Sequence, residues 1–159
     1  MKINVDVERS TLVAVPRAKA DVLLKDLEAT LKRFPKLKKL SKLGENEFRH
    51  DMQTIGSRVA KIAHDVSYGA KYVVDPSKGQ ITFKPLPKVG NAQVEGGLSL
   101  VEEGNKVRVS FRVKGELNDV PVPLVYRLVA PAFIQGKFTA LVDAFLQKTA
   151  ASLTGGSAA

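Results

Sequence analysis

Apolar and polar residues alternate strictly at the start of the chain, where residues 3 to 8 read Ile-Asn-Val-Asp-Val-Glu. The odd-numbered positions become apolar again at Val13 and Val15. A period of two residues is typical of a strand with one buried face. The chain therefore opens with a half-buried strand, which Pro16 ends.

Helical spacing follows over residues 18 to 34. Apolar side chains recur three or four residues apart, which places them on one side of a helix. This stripe consists of Ala20, Leu23, Leu27, Leu31 and Phe34. After Pro35 the basic stretch KLKKLSKL carries a leucine at every third position, and we expect it to add another helical turn or two.

Four or five strands come next. We expect strands over residues 45 to 55, 58 to 75 and 80 to 85, with the turn sequence DPSKG between the last two. A hairpin about Glu103-Gly104-Asn105 then joins two long alternating arms. On its first arm, Gly96-Gly97 is expected to form a bulge that bends the sheet.

A long C-terminal helix closes the chain. Pro121 and Pro123 suit its approach, and Pro131 is expected to kink it. Gly136 indicates either a close contact or open space beside the helix. Charged residues and Pro131 interrupt the apolar run, so it does not match a membrane span. The apolar stripe consists of Ile134, Phe138, Leu141, Val142, Phe145 and Leu146.

Composition narrows the classes of protein. The 159 residues predict one domain over residues 1–153 and a flexible tail over 154–159. The absence of cysteine excludes a disulfide framework, a thiolate metal site and a cysteine nucleophile. No signal sequence is recognised, so we expect a cytoplasmic protein. The net charge of +9 favours acidic partners such as nucleic acid or an anionic membrane surface.

The order of elements predicts an α+β fold with helices on one face of an antiparallel sheet. Two stretches resemble the START-like, or SRPBCC, superfamily: VDVERSTLVAVPRAKADVLLKDLEATLKRFPKL is similar to its opening, and residues 94 to 145 are similar to its closing strand pair and long helix. That superfamily includes polyketide cyclases, coenzyme Q-binding proteins and the birch-pollen-allergen type. The tryptophan common in its first helix is absent, since the chain has no Trp.

This resemblance implies the helix-grip fold, a curved antiparallel sheet wrapped around a long C-terminal helix, with short helices between strands 1 and 2. It also implies a hydrophobic cavity that binds a lipid, isoprenoid, sterol-like or polyketide ligand.

Both histidines, His50 and His64, have apolar neighbours two residues away and are expected to face the interior. A three-residue loop at residues 56 to 58 would place them opposite each other, whereas a loop one residue earlier would place His50 opposite Ile62. Paired neutral imidazoles could share a hydrogen bond or orient a ligand's carbonyl or hydroxyl. The alternative is histidines satisfied by backbone or buried water. By strand parity Asp51 and Asp65 point away, so we predict no metal and no cofactor.

Aromatic side chains on the inward parity are candidates for a cavity wall, although for any one of them ordinary core packing is the better interpretation. With their apolar neighbours and the histidines they form the predicted ligand-binding set. Its members are His50, Met52, Ile62, His64, Tyr68, Tyr72, Phe83, Leu98, Phe111, Tyr126, Phe133 and Phe138.

A basic run without intervening acids predicts contact with an anionic membrane, the alternative being a solvated surface. It consists of Lys32, Arg33, Lys36, Lys38, Lys39 and Lys42. An outward row of Arg108, Arg112 and Lys114 could meet phosphates. Nucleic acid is not favoured, however, because no aromatics interleave with this row and no recognition motif is present.

Three functions fit these features. The first is binding, and transport, of a hydrophobic small molecule in a cavity between sheet and C-terminal helix, at an anionic membrane surface to which the protein attaches peripherally. The second is an enzyme of the polyketide cyclase, aromatase or dehydratase type, in which His50, His64 and the tyrosines converge on the cavity. The third is an accessory domain that binds another protein.

Overall fold

The computed structural model of the protein describes residues 1–57, 59 and 61–155. Its strands are β1 Ile3–Val13, β2 Leu37–Gly44, β3 Glu47–Met52, β4 Ile55–Ser57, β5 Ile62–His64, β6 Ser67–Asp75, β7 Gln80–Gly90, β8 Ala92–Glu103 and β9 Lys106–Leu117. Its helices are α1 Arg17–Ala20, α2 Val22–Lys25, α3 Leu27–Lys32 and α4 Ala130–Leu153. A 3₁₀ helix, Leu124–Tyr126, precedes α4.

Seven strands form one antiparallel sheet in the order β1-β9-β8-β7-β6-β3-β2, and β4 and β5 pair separately. The first strand pairs with β9 in unbroken register from Ile3 opposite Leu117 to Val13 opposite Val107. The alternation of the sequence therefore sets which side chains face α4. The predicted α+β helix-grip architecture is confirmed, with α4 held against the inner face of the sheet.

The long helix α4 lies mainly against β1, one edge of the sheet. All six residues of its predicted apolar stripe are buried. Gln135 joins the helix to the edge of β1, because its Oε1 accepts from the Asp6 amide at 3.0 Å and its Nε2 donates to the Asp6 carbonyl at 2.7 Å. Arg9 adds an ion pair with Asp143, 2.8 Å between Nε and Oδ1. Gln135 thus occupies hydrogen-bonding groups that an edge strand would leave open.

The expected kink at Pro131 is wrong. Because α4 begins at Ala130, Pro131 lies in its first turn, where an amide donor is not needed. Gly136 has nothing within 4 Å of the position that a Cβ would take, so open space is the correct one of the two interpretations offered for it.

The helical segment after β1 is broken rather than continuous. The chain leaves helical geometry at Asp26, whose φ of −124° and ψ of 84° separate α2 from α3. The Asp26 side chain accepts from the Ala29 amide at 3.1 Å and caps α3. The predicted stripe still faces inward, with Leu23 buried and Leu31 packed at the edge of the core.

The basic stretch after Pro35 is a strand, β2, and not the expected helical turn. A register irregularity between Leu37 and Lys39 inserts one residue, so Leu37 and Leu40 both stay half-buried although they are three positions apart. A strand with a bulge can therefore show the three-residue spacing of apolar side chains that is typical of a helix.

The strand predicted over residues 58 to 75 is also divided. Residues 62 to 64 pair with β4 in the small hairpin, and the main sheet resumes at Ser67. Arg58 and Ala60 lie outside the described residues, as do positions 156 to 159 of the predicted tail.

Gly96 and Gly97 do not form the expected bulge, because both ladders of β8 run through them in unbroken register. Gly96 instead permits a close approach of β9. A Cβ at this position would lie 1.9 Å from the carbonyl oxygen of Arg112 and 3.0 Å from the ring of Phe83. The backbone of β9 can approach Gly96 closely only because Gly96 has no side chain.

We predict opposite effects of adding one methyl group at two glycines. Gly136→Ala should raise the free energy of unfolding by about 1 kcal/mol, because the site is open and alanine favours the helix. Gly96→Ala should lower it by roughly 2 kcal/mol or more, because the carbonyl it meets is fixed in the sheet. Urea unfolding followed by circular dichroism measures both, and a stabilised Gly96→Ala variant would contradict the close approach.

Candidate functional site

A partly enclosed cavity of about 40 Å³ lies between the inner face of the sheet and α4. Side chains from β1, α3, β3, β6, β7, β8, β9 and α4 line it. Eight members of the predicted ligand-binding set are among them: His50, Met52, Tyr68, Tyr72, Phe83, Leu98, Phe111 and Phe138.

The cavity is small for a ligand site. Its volume accommodates about three water molecules, whereas pockets for drug-sized ligands enclose roughly 300–1,000 Å³. Hydrophobic side chains form most of the wall. The helix and the sheet therefore enclose a mostly apolar space that a larger guest would have to widen.

Four phenylalanines close one part of the cavity. The ring of Phe34, just after α3, lies 6.0 Å from that of Phe111 and 5.5 Å from that of Phe145, between centroids. Phe111 lies 5.0 Å from Phe145 and 6.2 Å from Phe83. Phe34 is the only one of the four that is half-buried rather than buried. It forms the outer layer of this aromatic wall.

Three polar rings meet at another part of the wall. His50 lies opposite Tyr68 on neighbouring strands, and their rings stack with centroids 4.5 Å apart and planes 10° apart. The Tyr72 hydroxyl and His50 Nε2 share a hydrogen bond of 2.8 Å, in which the tautomer of the imidazole decides the donor. The pairing of β3 with β6 brings these residues together.

Burial keeps this cluster uncharged. Removal from water lowers the pKa of His50 to about 4, with a smaller opposing effect from Asp51. The same cause raises the pKa of both tyrosine hydroxyls above the ordinary value, with Tyr68 adding a smaller effect on Tyr72. The site therefore offers neutral donors and acceptors at physiological pH.

The Tyr68 hydroxyl is the polar group left over in the cavity. Thr30 is satisfied, since its hydroxyl donates at 2.8 Å to the Leu23 carbonyl, and His50 and Tyr72 are bonded to each other. In contrast, the hydroxyl of half-buried Tyr68 forms no hydrogen bond with another described residue. It is not one of the fully buried atoms without a partner, so it keeps some contact with open space. A ligand with one polar atom would find its partner here.

Four predicted residues lie outside this cavity: Ile62, His64, Tyr126 and Phe133. Both proposed registers for the histidines are wrong, because His64 pairs with Ile55 in the small hairpin while His50 pairs with Tyr68. Desolvation lowers the pKa of His64, and among the described residues its buried Nε2 has no hydrogen-bond partner. Tyr126 lies exposed in the 3₁₀ helix.

Other lining residues were not predicted as ligand contacts. Phe145 stood in the predicted helix stripe and could have been included with Phe138. Gly115 shares the inward parity of Val113 and Leu117, and its missing side chain leaves part of the space open. Phe34 also stood on a predicted helical stripe, but its place over the cavity depends on the path of the chain after α3.

The basic run is divided between the end of α3, which includes Lys32, and the edge strand β2, instead of lying on one amphipathic helix. Lys38, Lys39 and Lys42 are exposed on β2, the edge strand opposite β1. Lys36 stands in the preceding turn at a φ of 60°, where its carbonyl accepts from the Gln53 amide at 2.7 Å. Cations on an edge strand also discourage pairing with another sheet.

The outward row on β9 is largely neutralised. Arg112 pairs with Asp6, 3.1 Å between Nη2 and Oδ2, and Arg108 pairs with Glu103. Both arginines have a higher pKa than usual because of these hydrogen bonds. The row therefore offers little free positive charge to phosphates.

The described part of the chain lacks a metal-ligand cluster and a membrane-spanning helix. Its His, Asp and Glu residues form no group of three that could hold a metal ion. None of its helices combines the length and apolarity needed to cross a bilayer.

Comparison with known proteins rests on structure, since no family model and no curated protein matches the sequence. The Zhui aromatase/cyclase of a Streptomyces species superimposes with a TM-score of 0.65 at 15% identity, covering 96% of this chain and 99% of that one. A START superfamily protein from Mycobacterium smegmatis gives 0.59 at 17% identity, with coverages of 91% and 96%. Ara h 8.0201 gives 0.59 at 12% identity, with coverages of 96% and 99%.

The chain has the START-like, or SRPBCC, fold. The resemblance noted in the sequence is confirmed at this level. At such low identities the comparisons show a shared fold alone. They do not show that the residues lining the cavity are shared.

We predict that acid destabilises the protein through His50. Below about pH 6.5 the unfolded chain protonates this histidine, while the folded protein does so only near a pKa of about 4. The contribution of neutral His50 to the free energy of unfolding is therefore fully present above about pH 6.5. It is lost, by about 3 kcal/mol, as the pH falls from about 6.5 to about 4. Urea unfolding at a series of pH values measures the loss.

His50→Gln keeps a hydrogen-bonding partner for Tyr72 and should flatten this dependence. His64→Gln is the matched control and should leave most of it. Equal pH dependence in wild type and His50→Gln would show that His50 is not desolvated in the folded state.

Proposed function

We propose that the protein binds a hydrophobic small molecule, such as a lipid, an isoprenoid or a polyketide-like compound, between the sheet and α4. The observation that carries this proposal is the mostly apolar cavity lined by half-buried Tyr68, whose hydroxyl forms no hydrogen bond with another described residue. Because this hydroxyl is not fully buried, the polar atom of a ligand can reach it. The arrangement suits a ligand with an apolar body and one polar atom.

The neutral state of the polar cluster restricts the polar atom of this ligand. Uncharged His50 and the two tyrosines can exchange hydrogen bonds with a carbonyl or hydroxyl. A carboxylate or ammonium group would be desolvated there without an opposite charge. We therefore infer that the ligand is neutral at this end.

Binding requires the cavity to widen, because 40 Å³ is too small for such a molecule. Phe34 is the part of the wall best suited to move. It is half-buried and follows α3, a helix of only six residues. Displacing its ring would extend the cavity toward solvent without separating α4 from β1.

An anionic membrane surface is the proposed place of loading. The exposed lysines of β2 and the net charge of +9 favour such a surface, and an apolar ligand would be found there. Attachment would be peripheral, with the protein otherwise in the cytoplasm.

The first test is to identify what co-purifies with the protein. Organic extraction followed by mass spectrometry should yield a neutral apolar compound, and displacement of the fluorophore N-phenyl-1-naphthylamine should report its affinity. Tyr68→Phe should weaken binding of that compound about three- to tenfold through loss of one hydrogen bond. Phe34→Ala should strengthen binding by opening the wall.

Tyr126→Phe is the control, since it removes a hydroxyl outside the cavity. Phe111→Asp should abolish binding, with circular dichroism confirming the fold. A protein that extracts empty and does not take up the fluorophore would favour the accessory, protein-binding function instead.

A cyclase, aromatase or dehydratase activity is the second candidate, favoured by the 2.8 Å contact between His50 and the Tyr72 hydroxyl. A neutral imidazole can take a proton from a substrate carbon while a tyrosine hydrogen-bonds the carbonyl. If so, turnover of a synthetic polyketide substrate should disappear in His50→Gln and persist in His64→Gln, because His64 lies outside the cavity. Equal loss in both variants would contradict this role for the cavity histidine.

A further inference from the structure

An exposed apolar segment, residues 124–129, lies between β9 and α4. Its aliphatic side chains are Leu124, 80% exposed, Val125, 79%, Leu128, 97%, and Val129, 55%. Scattered surface aliphatics are ordinary in soluble proteins, whereas a contiguous group of them marks an interaction surface. Neither the cavity nor the catalytic alternative uses these residues.

The segment is a folded projection. Its backbone forms a 3₁₀ turn in which the Tyr126 amide donates to the Pro123 carbonyl at 2.9 Å and the Val129 amide donates to the Tyr126 carbonyl at 3.1 Å. Val120 before it and Ala130 after it are buried. The segment is thus anchored in the core at both ends. Its own carbonyl groups accept hydrogen bonds from these amides, which lowers the free-energy cost of moving the segment out of water.

Positive charge borders the projection. Arg127 is exposed within it, and Lys61 of the β4–β5 turn lines the same surface depression. Asp119 is the single carboxylate in that depression. Val59, 96% exposed, stands in the same turn as Lys61. Exposed aliphatic side chains and cationic side chains therefore occur together at this surface.

We propose that the exposed apolar segment inserts into the interfacial region of an anionic lipid bilayer, with Arg127 and Lys61 contacting lipid headgroups. This inference rests on the membrane part of the proposed function and replaces the basic run as the inserting element. Leu and Val gain from hydrocarbon without directional contacts, whereas hot spots of protein interfaces favour Trp, Tyr and Arg over Leu and Val. Half-exposed Tyr126 has the amphipathic ring that suits the headgroup level.

Self-association is less well matched to this surface. Two copies would bring like cations, Arg127 and Lys61, toward each other on chains that each carry a net charge of +9. An anionic bilayer supplies the opposite charge and an apolar layer a few ångströms below it.

The test is cosedimentation of the full chain with vesicles made of equal parts phosphatidylcholine and phosphatidylglycerol. Leu124→Ser/Leu128→Ser should lower the partition coefficient by about tenfold or more, because two leucines no longer enter hydrocarbon. The matched control, Val73→Ser/Val101→Ser, removes exposed aliphatics from strands β6 and β8 and should leave partitioning unchanged. Arg127→Gln/Lys61→Gln should reduce the preference for the anionic vesicles over pure phosphatidylcholine.

The cysteine-free chain permits a direct measurement of insertion. An environment-sensitive fluorophore on Leu128→Cys should shift to the blue when vesicles are added, and one on Val101→Cys should not. A label at position 128 that stays in water, together with undiminished binding of Leu124→Ser/Leu128→Ser, would overturn the inference.

Other outcomes identify other occupants or separate this proposal from the cavity function. A concentration-dependent dimer that Leu124→Ser/Leu128→Ser dissociates would assign the segment to a second copy and overturn the proposal. Loss of vesicle binding only in Lys38→Gln/Lys39→Gln/Lys42→Gln would return insertion to the basic run. Wild type that never sediments with vesicles would remove the membrane part of the proposed function, while fluorophore binding in the cavity is scored independently.

Discussion

One stripe of α4 packs against the inner face of the sheet, and this contact positions both the core and the cavity. Phe138, Phe145 and their neighbours on the helix are buried against strands whose inward parity is almost wholly apolar. Removal of these apolar side chains from water favours folding. The side-chain amide of Gln135 then aligns the helix with the edge of β1. Because the two layers meet along this line, the remaining space between them is the cavity.

The shape of that space follows from ring packing and from one glycine contact. Gly96 lets β9 approach β8, and Phe34, Phe111 and Phe145 fill the region beneath. The apolar wall removes the remaining polar groups from water, and this desolvation keeps them neutral. In the proposed function, such a site would disfavour charged ligands and accept neutral ones, and the cavity would widen by motion of half-buried Phe34.

The failures of sequence reasoning have local physical causes. The bulge after Leu37 gave β2 a spacing of three, which the rule of periodicity assigns to a helix. Asp26 capped a new helix where the apolar stripe alone predicted a continuous one. Pro131 is expected to kink the C-terminal helix, but α4 begins only one residue before it, so Pro131 lies in the first turn and causes no kink. In each case one residue or one inserted position changes the backbone while the hydrophobic pattern stays the same.

The α+β order of elements, the hairpin at Gly104 and the apolar stripe of α4 could be predicted from local sequence patterns. These features follow from strand and helix geometry, which acts over a few residues. In contrast, the contact of His50 with Tyr68 and Tyr72, and the pairing of His64 with Ile55 in a separate hairpin, depend on tertiary structure. The alternation along a strand shows which face of the sheet a side chain occupies. Which residue lies opposite it depends on the register between strands that are distant in sequence, and several registers bury the same side chains. The size of the cavity was likewise decided by how rings from distant elements pack together.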